Sequence, residues 1–105
     1  MATPSELRTQ AGQRLTRLRL ALGFAELRPF VRAVYGRADV ETEFRRVQKY
    51  ESGAAMPTPD FVATLAHYCG ADWNYIYGGR EDGLPVRLYD KLRTYDADRR
   101  GKNAS

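Results

Sequence analysis

Wherever apolar residues recur in this chain they recur at three and four positions, the period of one helix face, and no stretch alternates as a half-buried strand requires. Leu7, Ala11, Leu15, Leu18 and Leu22 make the first stripe. Val40, Phe44 and Val47 make another, Phe61, Leu65 and Tyr68 a third, and Leu84, Leu88, Leu92 and Tyr95 a fourth. The chain is therefore expected to be all-α, without internal repeats.

Caps and breakers set the boundaries. Thr3-Pro4-Ser5-Glu6 has the form of a helix start, with Thr3 as cap, Pro4 where its missing N–H costs nothing and Glu6 closing a capping box. That helix ends at Gly23. Pro29 must lie in a first turn, which shortens the second helix to 27–35, burying Phe30, Val31 and Val34. Asp39 is placed to cap a third helix over 40–51, with Thr42, Arg45, Arg46 and Lys49 turned away from its apolar side. Thr58-Pro59 repeats the capped start for a fourth helix over 59–69, which buries Phe61, Leu65 and Tyr68. Asp72 caps a short fifth helix, Trp73 to Tyr77, and residues 80–84 lead to the sixth. Tyr50, Trp73, Tyr75 and Ile76 are read as core, although Trp73 and Tyr77 also suit a dimer interface. The stripe of the sixth helix needs a partner, either the five-helix body or its copy in a dimer. Residues 99–105 are read as a disordered tail.

A length of 105 residues supports a single modest core. The net charge of +4 is unevenly placed, since residues 1–37 hold seven Arg against only Glu6 and Glu26. Such a field suits a polyanion such as nucleic acid or an acidic membrane surface, and most of the cations are Arg, whose planar fork matches phosphate and guanine edges. An Arg-rich genome would give the same bias. A lone Cys69 allows no internal disulfide, and without a charged-then-apolar leader the chain is expected in a reducing cytoplasm. No apolar run approaches the roughly 18 residues of a membrane span.

Catalysis finds little support. No Ser-His-Asp set, paired carboxylates or phosphate-cradling glycine pattern occurs, and Gly78-Gly79 reads as a helix stop. His67 and Cys69, two apart on a helix, diverge by about 200° and cannot readily share a metal. No enzyme activity, cofactor, metal or small-molecule ligand is expected.

Three segments carry a resemblance. They are Arg14-Leu15, Leu18-Arg19 and Leu22-Gly23 in the first helix; Tyr50-Glu51-Ser52-Gly53 with Met56-Pro57 after the third; and Phe61 to Gly79, above all Leu65-Ala66 and Gly70-Ala71-Asp72-Trp73-Asn74-Tyr75-Ile76-Tyr77-Gly78. Over residues 12–79 the chain resembles the lambda-repressor-like (Xre/Cro-type) helix-turn-helix DNA-binding family, its last segment most closely the phage-type repressors. The middle departs from the pattern. Glu26 stands where the family has a phosphate-touching Gln, Pro29-Phe30 falls on its Leu-Ala pair, and Gly36 lies fifteen residues before Glu51 where the family has about ten.

The resemblance implies a five-helix DNA-binding domain over 1–79, and the apolar stripe beyond it adds a C-terminal helix over 80–98 for packing or dimerisation. It implies a transcriptional regulator, a repressor by preference, acting as a homodimer on double-stranded DNA. Base contacts would come from Thr42, Phe44, Arg45, Arg46 and Lys49, and phosphate contacts from Arg14, Arg17, Arg28, Arg32 and Arg37. Glu51 would brace the first helix through Arg14 or Arg19. The cationic face could equally be a solvated one balanced by Glu41 and Glu43. A second function stays open beside the first: a protein-interaction module, such as an anti-repressor or assembly factor, on the same fold.

Overall fold

The structure, a computed structural model, describes residues 1–103. Six helices run in order: α1 (Pro4–Ala21), α2 (Leu27–Tyr35), α3 (Glu41–Ser52), α4 (Pro59–Cys69), α5 (Trp73–Gly78) and α6 (Val86–Asn103). Among the described residues there is no strand.

Short polar side chains begin three of the helices. The Thr3 hydroxyl accepts from the Glu6 N–H at 3.1 Å, the Thr58 hydroxyl from the Phe61 N–H at 3.3 Å, and the Asp72 carboxylate from the Tyr75 N–H at 3.0 Å. Asp39 does not do the same for α3. Val40 occupies the cap position with no side-chain cap bond, because its own side chain is drawn into the core, 2% exposed.

The core forms where the inner faces of α1 to α5 meet, around Leu15, Leu18, Phe30, Val47, Leu65 and Ile76. Three residues expected inside lie outside, the first being Leu7 in the opening turns of α1, 40% exposed. The inward side of α4 centres on Val62 and Leu65, and Cys69 rather than Tyr68 continues it into the last turn, which leaves Tyr68 exposed. Trp73 begins α5 on the side away from Tyr75 and Ile76; it is 42% exposed and stacks on Tyr77 with ring centroids 5.9 Å apart.

Helix α1 is the common support, packing on α3, α5 and α6. Its contact with α3 is at backbone range, since a Cβ at Gly12 would stand 2.4 Å from the Tyr50 carbonyl oxygen and 2.7 Å from that of Glu51. Arg19 binds the same junction. Its Nε donates to Glu51 Oε2 at 2.9 Å, and its Nη1 donates to the carbonyls of Phe24 and Ala25 at 2.8 and 2.7 Å. Arg19 is thus the partner that Glu51 required, and it ties α1, the following loop and α3 together.

Helix α6 lies on α1 with Leu88 and Leu92 buried. The tail expected from residue 99 is helical as far as Asn103; Arg99 and Arg100 favour helix and complement the negative end of its dipole. Residues 104–105 of that expected tail lie outside the described residues. An ion-pair cluster fastens the helix. Arg17 donates from Nε to Asp96 Oδ1 at 2.9 Å, from Nη2 to Asp96 Oδ2 at 2.5 Å, and from Nη1 to Tyr75 Oη at 3.1 Å and Glu81 Oε2 at 3.3 Å.

The Arg17 guanidinium holds the Asp96 carboxyl below its ordinary value of 3.8. A carboxylate depressed in the folded state adds stability that is fully present above its unfolded value and disappears as pH falls through the folded one. Acidification below pH 3.8 should therefore loosen α6. Amide exchange along α6 measures this, and Asp96→Asn should show faster exchange already at neutral pH with a flatter acid limb. Identical acid dependence in the two proteins would contradict the assignment.

Candidate nucleic-acid interface

Helix α2, residues 36–40 and α3 form the unit on which the cationic residues sit. The turn opens at Gly36, whose φ of +67° would strain a side-chain-bearing residue; its N–H returns to the Arg32 carbonyl at 2.8 Å. Two arginines knit the rest of the turn. Arg32 Nε donates to the Ala38 carbonyl at 3.1 Å, and Arg37 Nε to the Asp39 carbonyl at 3.2 Å. Val40 then dips into the core and starts α3, so residues 36–40 form a turn at the N-terminal end of the helix.

On α3, Val47 and Tyr50 point inward, and the opposite side carries Thr42, Arg45, Arg46 and Lys49, all exposed. Neither Arg46 nor Lys49 enters an ion pair among the described residues, and the Arg45 side chain is 74% exposed. These four form one open polar and cationic face. Phe44 is not part of it. The helix turns about 100° per residue, which carries Phe44 toward α2, where its half-buried ring lies under the Arg28 guanidinium, 4.0 Å from carbon to centroid.

Arg28, Arg32 and Arg37 border this face, each with an internal partner. Arg28 Nη1 donates to Glu41 Oε2 at 2.6 Å, and Arg37 Nη2 pairs with Glu43. The Arg28 bond draws the Glu41 carboxyl below the usual carboxylate range, so Glu41 remains ionised. Arg14 and Arg17 lie on α1 and are engaged inside the fold. Arg14 donates from Nη1 to the Ile76 carbonyl at 3.2 Å, satisfying the last turn of α5, and Arg17 is held by Asp96, Tyr75 and Glu81. Both are part of the scaffold that fastens α5 and α6 to α1.

Sequence reasoning treats Glu41 and Glu43 as background charge, yet both are wired into the arginines around α3. One link was readable: Glu41 precedes Arg45 by four residues, the favourable ion-pair order on a helix, and their Oε1 and Nε lie 3.9 Å apart. The links across the turn had no local signal.

No helix of the described residues is long and apolar enough to cross a membrane. No group of three or more His, Cys, Asp or Glu among them is placed to hold a metal ion. No family model, characterised protein or solved structure matches the chain.

Proposed function

We propose that this chain is a sequence-specific DNA-binding regulator, a repressor by preference, built on the lambda-repressor-like helix-turn-helix plan and reading the major groove with α3. The observation that carries this reading is the open face of Arg45, Arg46 and Lys49, with the turn of residues 36–40 lying at the end of the helix. Arg45 and Arg46 supply planar forks for guanine O6 and N7, each worth about 1–3 kcal/mol of discrimination. Arg28, Arg32 and Arg37 flank them with exposed or half-exposed charge for phosphates. One helix of this length contacts too few base pairs for specificity, so two copies on a two-fold operator are part of the proposal.

A gel shift on the DNA upstream of the chain's own gene tests it. The wild type should bind with affinity that falls steeply as salt rises. Arg45→Ala/Arg46→Ala should fold normally and lose on the order of 100-fold in preference for that DNA over mixed sequence. Absence of a shift at any salt would refute the reading. The carboxylates beside the face give a second reading its footing, because Glu41 and Glu43 already neutralise Arg28 and Arg37. A protein-interaction module would bind no DNA and would retain its partner in the double variant.

A further inference from the structure

The N-terminal turn of a reading helix is the part that reaches base edges, and in α3 that turn begins with a carboxylate, Glu41. A carboxylate there cannot anchor a phosphate, and it weakens the attraction that the positive end of the helix would otherwise exert. Yet it is held in place. Arg28 grips Oε2 at 2.6 Å while its guanidinium lies over the Phe44 ring, which limits where the carboxylate can swing. Arg45, one turn on, stands 3.9 Å from Oε1, inside ion-pair range and beyond hydrogen-bond length. Oε1 therefore keeps acceptor capacity on a side chain that is 52% exposed, beside an Arg45 that is 74% exposed.

We propose that Glu41 is a specificity residue that selects cytosine by accepting a hydrogen bond from its N4 amino group in the major groove, while Arg45 donates to O6 and N7 of a guanine on the adjoining base pair. The inference rests on the DNA-binding reading above. An ionised carboxylate only accepts. Guanine and thymine show it only acceptors in the major groove, and adenine places the N7 acceptor beside its amino group; cytosine alone offers a donor without an adjacent acceptor. The spacing agrees. Glu41 Oε1 and Arg45 Nε stand 3.9 Å apart, close to one base-pair step of about 3.4 Å.

Selection from a random DNA library with wild type, Glu41→Gln and Glu41→Asp tests the assignment, with helicity checked by circular dichroism. The wild type should enrich a cytosine next to a guanine. Glu41→Gln should lose the cytosine preference by on the order of ten-fold, keep the guanine, and bind mixed-sequence DNA more tightly because a negative charge is gone. Glu41→Asp keeps the charge but withdraws the carboxylate by one methylene; it should weaken the cytosine preference without that gain. A base pattern unchanged in Glu41→Gln overturns the assignment and leaves DNA binding standing. Absence of DNA binding by the wild type overturns both.

Discussion

Replacing Gly12 by alanine is expected to destabilise the protein by about 2–3 kcal/mol, and to weaken the proposed DNA binding with it. The added methyl would meet two backbone carbonyl oxygens, at 2.4 and 2.7 Å, where ordinary contact begins near 3.4 Å. Neither obstacle is a side chain that could rotate aside, so α1 and the end of α3 must move apart by about an ångström. That displacement reaches the cationic face of α3 directly, since Tyr50 and Glu51 come straight after Lys49 on the same helix. Urea unfolding of Gly12→Ala measures the loss. Gly101→Ala is the control, because nothing lies within 4 Å of a Cβ there and a helical alanine is favoured over glycine. Equal midpoints for Gly12→Ala and wild type would show that the two helices are less tightly apposed than described.

Phe30→Ala should be still more costly, about 3–5 kcal/mol, which for a domain of this size lowers Tm by more than about 10 °C. Phe30 is fully buried and packs on Phe24 with ring centroids 5.6 Å apart. Helix α2 has nine residues, few of them buried, and loss of its largest apolar anchor leaves it little to hold by. Phe30→Leu, which retains most of the volume, should lose less than about 1.5 kcal/mol. Thermal unfolding distinguishes these outcomes. A small effect in Phe30→Ala would mean that α2, and the arginines it presents, are not part of the cooperative core.

Legible in the sequence were the interactions that act over a few residues. Thr3, Thr58 and Asp72 cap helices as their spacing predicts, and Pro29 gives α2 the bounds that it has. The all-helical class comes from the same local periods. Errors arose where a distant part of the chain decided the outcome. Asp39 has the chemistry of a cap, but burial of Val40 set where α3 begins. Arg17 is likewise engaged by a carboxylate 79 residues away, a pairing that no local pattern announces. Of the five residues assigned to base contact, only Phe44 left the open face, because whether an aromatic side chain points outward or shelters beneath an arginine depends on α2.

The Arg17 cluster also bears on how the chain is made. Ribosomes deliver residues in order, and at roughly 5–20 residues per second the 79 positions separating Arg17 from Asp96 take about 4–16 s to emerge. Until then the guanidinium on α1 lacks its Asp96 partner, with Glu81 the earlier of its two carboxylates to emerge, and the side of α1 that α6 packs on stays uncovered. Docking of α6 on α1 therefore waits on translation, and the ion pair that fastens it is among the later contacts of this unit to form.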